Sequence, residues 1–416
     1  MKEAPVKMNR RLWLVRAVAC VSAGSAFEVQ LGSQSPAAPQ LPARSDFPVA
    51  ETAAFLNNAA WHPLSSGALG AIQTYLQRKS TGSTRFSFAP AGNQVKALLA
   101  KLLHVQPSSI GFVPSTTVGE NLVVAGLGFP RSQGNVVTDA LHYENSTYLY
   151  RSLQAQGLDV RFVKPREGRI ELADLDKAIN RDTKLVAISL VSYLNGFQYD
   201  LKAVCDLAHS RGAYVYADLV QAAGAVPIDV QASGVDFAGG GSHKWLMGDM
   251  GLGYLYVREG LLDTVVRRTQ FGSRQVTDFE NHIFPYDLTA DGAATWKPVS
   301  GTSGHFEVGT ISQATVAALS YSLPYIQRLG VERIQAHVQS LTGRLQKEMP
   351  RLGFPSVTPV ETRSPIVSFV VKDPHGIAAR LERANVDVKV DQHLLRLSPS
   401  VYNNQADIDK LLNALS

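Results

Sequence analysis

From about Pro107 to Val257, short apolar runs alternate with longer stretches whose apolar residues recur every three or four positions. IGFVPS, NVVTDA, VRFVK, KLVAISLVS, YVYAD, VDFAG and GYLYV are nearly continuous in apolar and β-branched residues. That is the pattern of strands buried on both faces of a mostly parallel sheet. Between them, TTVGENLVVAGL, ENSTYLYRSLQAQG, LADLDKAINR and LKAVCDLAHSRG carry helical spacing. The alternation predicts a layered α/β domain with right-handed crossovers. Residues from about 260 to 305 show no clear period and read as a long loop region over a site.

Beyond that loop the pattern changes. SQATVAALSYSLPYIQRLG and VERIQAHVQSLTGRLQKEM are helical, with Val331, Ile334, Val338, Leu341 and Leu345 forming one stripe. SPIVSFVVKD, VDVKV and HLLRLS read as strands, and GIAARLERAN and QADIDKLLNAL as short helices. The expected organisation is a leader and linker over 1–45, a large domain over 46–305 whose N-terminal segment borders the site, and a smaller C-terminal α/β domain over 306–416.

Composition adds little to this picture. Of 416 residues, 45% are hydrophobic and 18% charged, which is ordinary for a soluble enzyme. No run of 18 apolar residues is present, so no membrane-spanning helix is expected. Lys2, Lys7, Arg10, Arg11 and Arg16 face Glu3 alone within residues 1–27 and account for most of the net charge of +5. The remainder is near neutral, which gives no case for nucleic-acid binding. Asn9-Arg10-Arg11-Leu12-Trp13-Leu14, followed by AVACVSAGSAF, resembles a twin-arginine export signal. Export to the periplasm is the expected localisation, with cytoplasmic or organellar placement as the alternatives. The two cysteines, Cys20 and Cys205, allow no intrachain disulfide once a leader is removed, and no Cys/His spacing suits a metal.

Candidate chemistry concentrates in VDFAGGGSHKWLMGDMGLG, residues 235–253. Lys244 stands there in a small-residue turn, and Asp218 lies 26 residues earlier at the end of YVYAD. A lysine amine can form a Schiff base with the aldehyde of pyridoxal 5'-phosphate (PLP), and a carboxylate can keep the pyridine nitrogen protonated. Asp236 through Lys244, closed by Gly251 and Gly253, resembles the lysine signature of the class V aminotransferases, the group that includes cysteine desulfurases and isopenicillin-N epimerase.

That resemblance, which spans roughly Phe55 to Ser416, implies fold type I of the PLP-dependent transferases, with Asp218 as pyridinium partner and Gln221 as donor to the ring's phenolic oxygen. It aligns Ser115, Thr116 and Thr117, at a strand-to-helix turn, with a phosphate-binding segment, although Val118 replaces the usual acid; helix N-termini favour such anions. Ser242 and His243 are further cofactor candidates. Glu307-Val308-Gly309-Thr310 is similar to a segment that reaches the phosphate from the neighbouring subunit, implying a homodimer with shared sites. His142 is the expected ring-stacking residue, with Tyr143 in reserve. Either Tyr193 or Asn195 stands where relatives have a cofactor-contacting Asn. Arg396 is similar to the arginine that clamps the substrate carboxylate, for which a planar guanidinium suits two-point binding. Asn57, Asn58 and His62 resemble the segment bordering the substrate pocket.

One departure narrows the function. Cysteine desulfurases carry a nucleophilic cysteine on a loop shortly before that arginine, whereas Val386 to Leu395 reads VDVKVDQHLL, short and without cysteine. Persulfide transfer through a protein thiol is therefore disfavoured. What remains is chemistry beginning at Cα of an amino-acid-like substrate, with aminotransferase-like activity first. Isopenicillin-N-epimerase-like racemisation and a cysteine-independent C–S β-elimination follow. A catalytically idle binding protein would be expected to have lost parts of the Lys244, Asp218, Gln221 and Arg396 set, and all four are present.

Overall fold

Seven strands form the central sheet of the computed structural model, which describes residues 40–82, 89–281 and 294–416. The twin-arginine motif, the apolar stretch after it and Cys20 lie outside those residues. In chain order the strands are β1 (Ile110–Val113), β2 (Asn135–Asp139), β3 (Asp159–Val163), β4 (Thr183–Ser189), β5 (Tyr214–Asp218), β6 (Phe237–Gly241) and β7 (Gly253–Val257). They lie across the sheet as β1-β7-β6-β5-β4-β2-β3. β7 runs antiparallel to both β1 and β6, and the remaining pairs are parallel. All seven predicted strands are present.

The burial explains why they were readable. β1, β2, β6 and β7 are buried along their whole length, as layers on both faces require. Alternate residues feed two separate cores: Val215 and Ala217 of β5 point into one, Tyr216 into the other. Edge strand β3 exposes Asp159 instead, and its outer face is only partly covered. The glycine run of β6 makes room for aromatic lids, since a Cβ on Gly240 would fall 2.3 Å from the Tyr254 ring.

The predicted helices occupy Thr116–Gly126, Glu144–Ala155, Leu172–Ala178 and Leu201–Ser210. The expected loop over 260–305 is partly ordered: Val276–Asn281 and Ala294–Pro298 form an antiparallel strand pair, and Gly301–Phe306 is a helix. This pair escaped the pattern because it packs little against the core. Phe279 and Trp296 stack on each other at 5.9 Å with both rings more than half exposed, so no buried face marks the strands.

In the C-terminal part, Val367–Val370, Leu394–Leu397 and Lys389–Val390 form a three-stranded antiparallel sheet with Leu394–Leu397 in the centre. Helix Val331–Glu348 lays Leu341 and Leu345 against it, and Ile408 and Leu411 of helix Gln405–Leu415 complete the core. The VDVKV run splits in two, because Val386–Asp387 pairs in parallel with Ala54–Phe55. Ala54 and Leu56 are thereby buried in the C-terminal core.

Candidate functional site

The carboxyl ends of β1, β4 and β5 converge on one cavity of about 290 Å3, the place where open α/β sheets bind ligands. Asp218 ends β5 and sits directly beside Ser189, the end of β4. Its carboxylate is buried and accepts one hydrogen bond, from the Val220 N–H at 2.7 Å. Burial pushes the Asp218 pKa up, although nearby His142, that N–H and Lys244 all favour the ionised form. A buried acid of this kind calls for a cationic partner.

Lys244 faces the same cavity from the turn after β6. The turn is held by Met247 N–H to Lys244 C=O at 2.8 Å and Gly248 N–H to Ser242 C=O at 2.9 Å. Met247 adopts a left-handed φ of 56°, uncommon for a non-glycine residue and sustained here by its burial. Gly253 lets β7 pass beneath the opposing turn, where a Cβ would lie 3.0 Å from Ser115 backbone. Burial lowers the Lys244 amine to about 8, with Asp218 opposing and Arg396 and Lys389 adding to the effect. Its Nζ lies 5.7 Å from the centre of the Tyr143 ring.

Ser115, Thr116 and Thr117 form the opposite wall. Ser115 caps helix Thr116–Gly126 by accepting from Val118 N–H at 3.2 Å, so the first-turn N–H groups and two threonines meet at a helix start. Such a terminus attracts anions. Gln221 also lines the cavity, its amide donating to Ala59 C=O at 2.9 Å and accepting from Trp245 Nε1 at 2.8 Å. His243 borders it with its pKa lowered to about 4 by burial and by Lys244.

Several expected residues sit elsewhere. His142 is turned inward, its Nδ1 2.8 Å from Ser189 Oγ and its Nε2 3.3 Å from Glu120 Oε1, whereas its neighbour Tyr143 lines the cavity. Burial disfavours protonation of His142, but the Glu120, Asp139 and Asp218 carboxylates together outweigh that and raise its pKa. Asn195 closes a turn by donating to Gly168 and Val357 carbonyls, and Tyr193 takes the wall. Asn58 binds Ser398 C=O and the Tyr402 hydroxyl, and His62 lies between Pro63 C=O and Ser400 Oγ. Both tie the N-terminal segment to the C-terminal part and neither lines the cavity. Asn57 donates to Asp387 outside it. Ser242 braces the lysine turn through the Leu252 and Asp249 carbonyls. Thr310 is exposed, on a segment whose preceding Glu307 is anchored by Phe112 N–H and by the Lys96 and Arg274 ion pairs.

Arg396, 3% exposed, donates to the Tyr193 carbonyl at 2.9 Å and keeps a buried Nε without a hydrogen-bond partner. An unspent guanidinium edge next to a cavity residue is suited to a carboxylate. Two contributors went unrecognised in the sequence. Ser189 has no motif around it. Glu120 could have been noticed as a lone acid inside the apolar helix face of Thr116–Gly126; it accepts from Tyr150 at 2.9 Å and from Ser146 at 2.5 Å.

Comparison with known proteins places this geometry. A family model described as aminotransferase class-V matches residues 55–411. A probable cysteine desulfurase of Methanothermobacter thermautotrophicus is 27% identical over 84% of this chain and 86% of its own length. One of Streptomyces coelicolor is 27% identical over 89% and 95%. The apo structure of a cysteine desulfurase from Thermococcus onnurineus NA1 superposes with a TM-score of 0.79 at 24% identity, covering 91% of this chain and 98% of that one. The cystine C–S lyase C-DES, in complex with its reaction product cysteine persulfide, gives 0.77 at 22% identity, covering 89% and 98%. The structural likenesses establish a shared fold, and the family match over residues 55–411 adds the lineage: the chain belongs to the class V aminotransferases.

Proposed function

We propose that this chain is a PLP-dependent enzyme that acts at Cα of an amino-acid-like substrate, aminotransferase-like in its chemistry. The observation that carries this reading is the pairing of buried Lys244 and buried Asp218 across one cavity beside a helix N-terminus. The residues fit the cofactor. Asp218 holds a proton at the pyridine nitrogen, the start of helix Thr116–Gly126 binds the phosphate, and Gln221 lies within the same wall. Bound there, PLP supplies an electron sink for the Cα electrons. Lys244, with its amine near 8, both anchors the aldehyde and moves the Cα proton. Arg396 orients the substrate carboxylate.

Tyr143 rather than His142 is the flat surface offered to the ring, because it lies on the wall beneath Lys244. Tyr143→Leu should weaken PLP retention about 3- to 10-fold, the range of ~0.5–1.5 kcal/mol for an aromatic stack. Dialysis followed by absorbance reads this directly. Retention unchanged in Tyr143→Leu but lost in His142→Leu would return the role to the histidine. Exposed Thr310 supports a homodimer in which a second copy completes the phosphate site; a monomer in sedimentation would remove that part.

The relatives' name supports a sulfur substrate, but the segment before Arg396 has no cysteine. Cys205 is buried in helix Leu201–Ser210 with its thiol pushed up to about 12. A second reading, C–S cleavage without a protein thiol, is favoured by that absence and by the likeness to C-DES. Where the proton returns separates the outcomes. With candidate amino acids and PLP-loaded protein, a keto acid formed from an added amino donor supports transamination. Ammonia and pyruvate support elimination, and solvent deuterium at Cα without net reaction supports epimerisation. Protein that takes up no PLP overturns the proposal.

A further inference from the structure

A second cation, Lys389, is paired with Arg396 and lies within electrostatic reach of Lys244, and the mechanism above does not use it. Lys389 lies directly opposite Arg396 across the antiparallel pair of Lys389–Val390 and Leu394–Leu397. Residues paired in this way project from the same face of a sheet, with Cβ atoms roughly 5 Å apart. Arg396 shows where that face points, because its guanidinium reaches the carbonyl of Tyr193, a cavity residue. Arg396 is buried, whereas the Lys389 side chain is 37% exposed, so its ammonium is the one of the two that meets solvent.

Its ion pair is with Asp391, at 3.3 Å and with a side chain 49% exposed. Exposed pairs of this kind hold weakly, so an incoming anion can share the ammonium. Lys389 is also close enough to help depress the Lys244 amine, which places it within electrostatic reach of the reacting centre. Glu144, a further charged group near Tyr193, is exposed and engaged by the Tyr193 hydroxyl.

We propose that Lys389 binds a second carboxylate at the far end of the substrate, so that the enzyme selects amino acids that carry a further carboxylate beyond Cβ. This rests on the function proposed above, since Arg396 must take the α-carboxylate. Two kinds of molecule carry such a group: a short dicarboxylic amino acid, and the second half of a disulfide-linked amino acid. A lysine ammonium on a flexible stem can follow either length.

Two matched pairs test it on PLP-loaded protein: L-glutamate against L-glutamine, and L-cystine against S-methyl-L-cysteine. Difference-spectrum titration gives Kd, and product formation gives kcat/KM. The wild type should prefer the carboxylate-bearing member of one pair at least tenfold, and that pair identifies the source. In Lys389→Met the preference ratio should fall to near one, and Lys389→Arg should keep most of it. A wild type without preference in either pair, or a Lys389→Met ratio equal to the wild type, overturns the proposal. A wild type that reacts with the neutral members alone leaves the Lys244–Asp218 chemistry standing while the Lys389 role falls. Protein that takes up no PLP brings both down.

Discussion

Lys244→Ala should abolish the visible absorption of PLP-loaded protein and lower turnover about 10^2- to 10^4-fold from the loss of proton transfer alone. Loss of the covalent anchor adds to that. The expectation follows from the environment of the amine. Burial lowers it to about 8, and Arg396 and Lys389 contribute while Asp218 resists. At pH 7 roughly a tenth of such an amine is neutral, against fewer than about one in a thousand for an ordinary lysine. PLP uptake by cofactor-free protein should therefore quicken with pH and level off above about 8. An exposed lysine would keep accelerating toward its ordinary value of 10.5. Stopped-flow absorbance gives this profile. An unchanged visible band in Lys244→Ala would show that another lysine holds the aldehyde.

The sheet and the lysine turn were legible because both are dictated locally. Strands buried on two faces read as apolar runs whatever lies far away, and the small residues around Lys244 are forced by close neighbours such as Tyr254. The wall residues were not local. Whether His142 or Tyr143 faces the cavity depends on how the chain leaves β2. Asp139, held by the Tyr199 hydroxyl at 2.9 Å, accepts from Leu141 N–H at 2.7 Å and fixes that turn. The turn then directs His142 onto Glu120 and Ser189, partners far away in sequence. Asn58 and His62 likewise find Ser398 and Ser400, more than 330 positions later. No pattern near residue 60 announces those bonds. Arg396 was visible as a residue type, yet its companion Lys389 emerges only from strand register, since VDVKV divides between two sheets.

Asp218→Asn should separate function from stability. Asparagine keeps the shape and the Val220 N–H bond but carries no charge to hold a proton on the ring nitrogen. Removing one partner of a buried charge pair costs about 3–5 kcal/mol, so turnover should fall about 10^2- to 10^4-fold. In the cofactor-free protein the sign reverses. Burial raises the Asp218 pKa above its unfolded value of 3.8, so between those two values the native state binds more protons than the unfolded chain. Stability from this group is then present at low pH and is lost as pH rises through the folded pKa. Once the pH exceeds the folded pKa, the wild type bears the penalty of a buried carboxylate, and the neutral variant does not. Cofactor-free Asp218→Asn should be more stable by about 1–2 kcal/mol, the usual size of such a trade between activity and stability. Denaturant melts with and without PLP, paired with turnover, test both halves. A variant that is less stable without cofactor and still turns over at the wild-type rate would mean that Asp218 serves the fold and not the ring.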